Sequence, residues 1–250
     1  MMLKSGLRRA VTPKRFYKDA TVRKGASGYQ LYLDDRTLRT PARSDLWIPS
    51  RYLAEAIAAE FRAQEDKIIP ATMPLMTIAS TALDVTRGNE VPTIDRVLSF
   101  LQTDTVSFLH EDEPELRALQ RRHWDPLRAR ANSDFGVSTL QTDGLVLREG
   151  QCQKGAANLR KLLEGEFDFW SLTTMEIATS YTKSAIIAVN LLKADLSVAA
   201  AVDAAQAEEI FQRNVWGTVE GSHDLAERET AMWLAACRTF DELRAYSQIL

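Results

Sequence analysis

Apolar and polar residues alternate in the first part of the chain, as they do in strands that bury one face. Tyr29, Leu31 and Leu33 occupy every second position, and the glycines at positions 25 and 28 mark a turn just before them. A period of two residues places alternate side chains on the same face of a strand. We therefore predict that residues 16–49 form mainly strands.

From residue 50 onward the apolar spacing becomes helical. Ser50 is placed to cap a helix with Leu53, Ile57 and Phe61 on one face, and prolines at positions 70 and 74 end that segment. Later apolar residues recur three or four positions apart, which predicts further helices. The predicted stripes are Leu75, Ile78, Ala82 and Val85; Ile94, Val97, Leu98 and Leu101; and Leu116, Leu119, His123 and Leu127, the last interrupted at Pro126.

A short β pattern returns at residues 137–147, split by the turn signal Asp143-Gly144. Helices resume near Lys154, and Thr173 with Glu176 has the spacing of a capping box that opens a helix running to about residue 192. We predict an α+β protein. Its small β-rich N-terminal domain covers residues 1–70 and its larger, mainly helical domain covers residues 71–250.

The segment EEIFQRNVWGTVEGSHD, residues 208–224, is unusually rich in polar and aromatic residues. Its apolar spacing predicts a helix up to Trp216, and Gly217 is a residue that commonly ends helices. Glu220, His223 and Asp224 would then lie in an exposed connection. Asp224 with Glu227 has capping-box spacing before the next helix. Glu220 has no such structural role.

Composition restricts the partners and the compartment. The net charge of −3 argues against nucleic acid as the main partner, although six basic residues precede the first acid, Asp19. The two cysteines form no CxxC pair and imply no disulfide framework, so a reducing compartment is expected. The longest weakly charged run, residues 177–192, is too short and too polar to span a bilayer. We expect no membrane insertion.

Catalytic motifs are largely missing from the sequence. Thr182-Lys183-Ser184 resembles the end of a phosphate-binding loop, but the required glycines are missing before it, and Lys183 is expected at a helix edge with its charge in water. No metal-ligand spacing occurs, so we expect no metal and no cofactor. The alternative hypothesis is a small-molecule enzyme that uses Glu220, His223 and Asp224 for acid–base chemistry.

Several motifs occur in a fixed order along the chain. They are Lys14-Arg15-Phe16-Tyr17, Met73-Pro74-Leu75, Thr103-Asp104-Thr105, Gln120 with Trp124-Asp125-Pro126, Thr182-Lys183-Ser184, and the segment from Glu208 to Asp224. The set resembles the ATP synthase assembly chaperones that bind the alpha subunit of the enzyme's catalytic head. The likeness covers about residues 14–240. Met76 departs from it, because the family usually has threonine there.

The resemblance implies a chaperone rather than an enzyme. Such a protein would hold the unassembled alpha subunit until the beta subunit replaces it. The expected partner-binding residues are Trp216, Glu220, His223 and Asp224. The resemblance also implies a bacterial member of the family that works in the cytoplasm, whereas eukaryotic members work in the mitochondrial matrix.

Overall fold

An antiparallel sheet of short strands opens the computed structural model, which describes residues 13–139, 141–143, 153–217 and 223–246. Its strands are β1 (Ala20–Gly25), β2 (Gly28–Leu33), β3 (Arg36–Thr37) and β4 (Trp47–Ile48), with β2 paired to each of the others. Gly28 has a φ of +133° and lies so close to the Ile48 carbonyl that a Cβ would approach its oxygen to 2.6 Å. Only glycine fits this turn between β1 and β2.

The predicted first helix is present as α1 (Arg51–Arg62), and it covers this sheet. Leu53, Ile57 and Phe61 are buried on the face toward the strands, together with Leu31 of β2. The prediction for Ser50 was half right. Ser50 occupies the capping position, but its hydroxyl donates to the carbonyl of Leu243 at 2.6 Å and makes no hydrogen bond within α1.

Helices dominate the rest of the described chain, which confirms the α+β fold. Helix α6 lies at the centre of the helical part and packs against α3, α7 and α10. A two-stranded parallel sheet joins β5 (Phe108–Leu109) to β6 (Thr142–Asp143). The helices are α2 (Pro74–Thr81), α3 (Glu90–Phe100), α4 (Pro114–Phe135), α5 (Gln153–Glu166), α6 (Phe169–Thr182), α7 (Ala185–Lys193), α8 (Val198–Ala205), α9 (Ala207–Trp216) and α10 (His223–Ala245).

The predicted interruption at Pro126 is wrong. Helix α4 continues through this residue, and Asp125 lies inside the helix, where it forms an ion pair with Arg128 at 3.6 Å. An aspartate before a proline often marks a turn or a helix start, but Asp125 lies inside α4. Trp124 and Leu127 on either side are buried, so tertiary packing maintains the helix across a proline that local preference disfavours.

The capping box predicted at Thr173 is also wrong. Helix α6 starts at Phe169, and its capping residue is Asp168, whose carboxylate accepts from the backbone N–H of Ser171 at 3.0 Å. Thr173 is buried inside the helix and donates to the carbonyl of Phe169. Glu176 pairs with Arg96 of α3. Threonine three residues before glutamate is compatible with a helix interior as well as with a helix start, and burial selected the interior here.

The apolar run at residues 177–192 is not one helix. Lys183 takes a left-handed conformation with φ of 52° and ends α6. Ser184 then begins a new helix, because its hydroxyl accepts from the N–H of Ile187 at 3.0 Å. The sequence contains no glycine or proline at this corner, and the periodicity passes through it without a signal.

Within the β segment predicted at residues 137–147, the described residues 137–139 and 141–143 contain one short strand. Thr142 and Asp143 pair in parallel with Phe108 and Leu109, and the predicted hairpin turn at Asp143-Gly144 extends beyond the described residues. One set of contacting buried side chains connects the sheet, α1 and the helical part. The division into two domains near residue 70 stays a prediction.

Candidate partner-binding surface

Two buried side chains of α4 hold the end of α8 and the start of α9. The indole N–H of Trp124 donates to the carbonyl of Ala204 in the last turn of α8, at 2.8 Å. The side-chain amide of Gln120 donates to the carboxylate of Glu208 in the first turn of α9, at 2.9 Å, and accepts from the N–H of His110 at 2.8 Å. Motifs that are far apart in the sequence therefore set the direction in which α9 extends.

The far end of α9 presents apolar side chains to solvent. Trp216 is 76% exposed and the neighbouring Val215 is also exposed, whereas Ala207 at the start of the helix is buried. Gly217 ends the helix with φ of 82° and ψ of 171°, a conformation that is essentially limited to glycine. Large aromatic side chains are seldom this exposed unless a partner covers them.

An ion pair connects this end of α9 to the start of α10. The guanidinium of Arg213 lies 2.7 Å from the carboxylate of Glu227. Trp216 lies one helical turn after Arg213, and Leu225, which is 69% exposed, lies two residues before Glu227. The two exposed apolar residues therefore flank a fixed link between the helices.

A groove of about 630 Å³ lies beside this link, between α8, α9 and α10. Val198, Val202 and Ala231 contribute its apolar part, and Asp203, Arg213 and Glu227 contribute charge. We call the groove together with Val215, Trp216 and Leu225 the α9–α10 surface.

The structure locates the predicted site residues as follows. Trp216 is strongly exposed, as a partner-binding residue requires. His223 begins α10, so Asp224 lies in its first turn and not at the capping position before it, which corrects the predicted capping box. Glu227, the other member of that box, pairs with Arg213. Glu220 lies outside the described residues.

Two other motifs meet in the interior and have structural roles. The carboxylate of Asp104 is buried and accepts from the N–H groups of Val106 at 3.3 Å and of Ile186 at 3.2 Å. Thr105 donates its N–H to the carbonyl of Lys183 at 3.2 Å. Burial raises the pKa of Asp104 to about 6, while these donors oppose that rise. The corner at residues 182–184 thus connects α6 to α7 and does not form a phosphate-binding loop. The side chain of Lys183 is exposed, as predicted.

The motif Met73-Pro74-Leu75 also has a structural explanation. Glu60 of α1 caps α2, since its two carboxylate oxygens accept from the N–H groups of Leu75 at 2.7 Å and Met76 at 2.8 Å. Burial raises the pKa of Glu60 to about 7, although both hydrogen bonds act in the opposite direction. Because the contact to residue 76 uses its backbone, the departure from threonine at Met76 leaves it intact.

Comparisons with known proteins identify the family of this chain. The family model for the ATP12 chaperone protein matches residues 14–132. The crystal structure of Atp12 from Paracoccus denitrificans has a TM-score of 0.80 at 26% identity, with 93% of this chain and 97% of that chain covered. The crystal structure of the Atu1473 protein from Agrobacterium tumefaciens has a TM-score of 0.84 at 30% identity, with 92% of this chain and 85% of that chain covered. The chain belongs to the ATP12 chaperone family.

A curated member of the family supports the same conclusion. Protein atp12, mitochondrial, from Schizosaccharomyces pombe is 26% identical over 234 residues, which cover 89% of this chain and 80% of that protein. The resemblance to ATP synthase assembly chaperones is therefore confirmed. The enzyme hypothesis built on Glu220, His223 and Asp224 is not favoured, because the matching family model describes a chaperone.

The described residues contain neither a metal-ion cluster nor a membrane-spanning helix. No group of three His, Cys, Asp or Glu residues is arranged to hold a metal ion among residues 13–139, 141–143, 153–217 and 223–246. In the same part of the chain, no helix is long and apolar enough to cross a membrane.

Proposed function

We propose that this chaperone holds the unassembled alpha subunit of F-type ATP synthase in the cytoplasm until the beta subunit replaces it. We further propose that the α9–α10 surface contacts the alpha subunit, with Trp216, Glu220, His223 and Asp224 taking part. The observation that carries the proposal is the exposure of Trp216 at the end of α9, beside a groove that is large enough to accept part of a polypeptide.

The chemistry of the partner supports this choice. An unassembled subunit exposes the apolar surface that its neighbour later covers, and such patches cause aggregation. An exposed tryptophan can cover part of that surface without nucleotide or metal, and tryptophan is enriched among residues that dominate binding energy. The beta subunit can then displace the chaperone by competing for the same apolar area.

The charge around the α9–α10 surface indicates a basic neighbour on the partner. Residues 203–229 contain seven acidic residues and two arginines, so this stretch is far more acidic than the chain as a whole. Complementary charge mainly raises the association rate and the specificity of a complex. Glu220, which has no predicted structural role, is our candidate for contacting a basic group.

The main test is suppression of alpha-subunit aggregation, followed by light scattering. The wild-type protein should suppress scattering at an equimolar ratio and release the alpha subunit when the beta subunit is added. Trp216→Ser should weaken binding roughly tenfold or more. Val91→Ser is the matched control, since Val91 is 58% exposed on α3, and its binding should stay as in the wild type. Unchanged scattering with the wild-type protein would refute the proposed function.

Variants at the connection test the individual acids. Glu220→Gln should leave the melting temperature nearly unchanged and weaken alpha-subunit binding, because replacing a charge at an interface rim affects association more than folding. Asp224→Asn should have a smaller effect. Loss of folding in Glu220→Gln would show instead that Glu220 is a buried anchor.

A further inference from the structure

The motif Lys14-Arg15-Phe16-Tyr17 is only half explained by the fold. Arg15 is fixed by backbone carbonyls, since its guanidinium donates to Tyr17 at 3.1 Å, to Lys18 at 2.6 Å and to Gln64. Tyr17 is buried, and its hydroxyl donates to the carbonyl of Phe61 at 2.9 Å. Lys14 and Phe16 alternate with these residues and lie on the solvent side, where Phe16 is 61% exposed.

A second segment brings another lysine directly opposite Lys14. Lys14 and Lys67 form an antiparallel bridge in which Arg15 donates its N–H to Asp66 and Ile68 donates its N–H to Pro13, both at 2.9 Å. These bonds surround the two lysines without joining them, and in such pairs the side chains lie closest together. Like charges directly opposite each other destabilise a strand pair.

Neither lysine forms an ion pair within the described part of the chain. Both are exposed, and the nearby acids Glu65 and Asp66, which precede Lys67 in the sequence, make no ion pair with them. A fold gains no stability from two unpaired ammonium groups in this arrangement. The pair is, however, well placed to bind a carboxylate from outside the chain.

Apolar surface lies on both sides of the lysine pair. Phe16 is two residues from Lys14, and the exposed Ile69 is two residues from Lys67, so the alternation of extended backbone places all four on one face. A surface pocket of about 510 Å³, lined by residues 63–67 with Ile69 and Thr72, borders this face. We call Lys14, Phe16, Lys67 and Ile69 the lysine-pair surface.

We propose that the lysine-pair surface is a second docking site, which binds an acidic segment of the client subunit that also carries an apolar side chain. The inference rests on the proposed function, because the client is the alpha subunit. A carboxylate between the two ammonium groups removes their repulsion, and an apolar side chain covers Phe16 and Ile69. Together with the α9–α10 surface, this site holds one client at two points, which strengthens binding beyond either contact alone.

The test measures the affinity of purified alpha subunit for the full-length protein and its variants. Lys14→Gln/Lys67→Gln and Phe16→Ser should each raise the dissociation constant roughly fivefold or more. The melting temperature of the double glutamine variant should be unchanged or higher, because like-charge repulsion is removed. A purely structural role of the lysines would instead lower the melting temperature. Lys24→Gln, an exposed lysine on β1, and Val91→Ser are the matched controls and should bind as the wild type does.

A photo-crosslinking amino acid at position 16 identifies the bound segment. The crosslinked alpha-subunit peptide should carry net negative charge, and wild-type binding should weaken with added salt more steeply than binding by the double glutamine variant. Equal affinity of all variants for the alpha subunit would overturn this inference and leave the proposed function standing. No binding by the wild-type protein would overturn both. Binding of anionic phosphatidylglycerol vesicles that is lost in the lysine variant would replace the inference with a membrane-docking surface.

Discussion

At the scale of single residues, buried carboxylates explain motifs that have no obvious chemistry in the sequence. Asp104 connects the turn after it to the start of α7, and Glu60 caps α2. Each carboxylate accepts backbone N–H groups that would otherwise be buried without a partner. These acids therefore serve the fold, although catalytic acids in enzymes can show similarly raised pKa values.

Glu60 makes stability depend on pH in a defined direction. Burial raises its pKa from 4.5 to about 7 in the folded state, so the folded protein binds this proton more readily than the unfolded chain does. Its contribution to stability is therefore present below about pH 4.5 and is lost as the pH rises to about 7. We predict that, as the pH rises from 5 to 8, the free energy of unfolding of Glu60→Gln increases relative to that of the wild type by up to about 3 kcal/mol.

Urea unfolding at both pH values measures this difference. At pH 5 the free energies of unfolding of the wild type and the variant should differ mainly by the effect of the substitution on the capping of α2. At pH 8 the free energy of unfolding of the variant should have risen relative to that of the wild type. Glu115→Gln, which replaces an exposed carboxylate in α4, is the control and should show no such gain. A difference in free energy of unfolding between the variant and the wild type that is the same at both pH values would contradict the prediction.

At the scale of elements, packing between helices outweighs local signals. Helix α4 keeps Pro126 in its interior because Trp124 and Leu127 are both buried against neighbouring elements. The corner at Lys183 shows the opposite case, in which a continuous helical pattern is broken. There the carbonyl of Lys183 accepts from the N–H of Thr105, and Asp104 accepts from the N–H of Ile186. These long-range hydrogen bonds stabilise the corner between α6 and α7.

Helix α4 therefore supports a stability prediction. Pro126→Ala should stabilise the protein by about 1–3 kcal/mol, since alanine restores an N–H donor to the helix and Pro126 is exposed, so no packing is lost. Pro114→Ala is the control, because proline is tolerated at the first position of a helix and its replacement should change little. Chemical denaturation measures both values. Destabilisation by Pro126→Ala would mean that the proline ring fixes a bend that the packing needs.

At the scale of the whole molecule, the last helix returns to the first. The hydroxyl of Ser50 before α1 donates to Leu243 near the end of α10, and the rings of Tyr52 and Tyr246 contact each other edge to face at 6.0 Å. One connected core extends from the strands through the helical part. These contacts join the two segments that the sequence assigned to separate domains.

We accordingly predict one cooperative unfolding transition. Hydrogen exchange of the slowest amides should give the same opening free energy in β2 as in α6. Ser50→Ala should lower the opening free energy of both elements by about 1 kcal/mol, because one buried hydrogen bond is lost. Ser99→Ala, at an exposed position in α3, should lower neither. A decrease confined to β2 would show that residues 1–70 unfold as a domain of their own.

Local patterns predicted much of the fold and one part of the candidate surface. The buried face of α1 followed from the spacing of Leu53, Ile57 and Phe61, and the end of α9 followed from Gly217 after Trp216. These features depend on residues that are close together in the sequence. The exposure of Trp216 could not be predicted, since the same apolar spacing suits a fully buried helix.

The sequence by itself determined the change from strands to helices near residue 50 and, through its ordered motifs, the chaperone family. Only the tertiary structure decided which polar residues are buried and which charges face each other. The contact of Asp104 with Ile186 spans 82 positions, and Lys14 pairs with Lys67 although strands β1 to β4 and helix α1 lie between them in the sequence. No local pattern encodes such pairs, because the energy of a buried carboxylate or an opposed lysine depends on groups that only folding brings together.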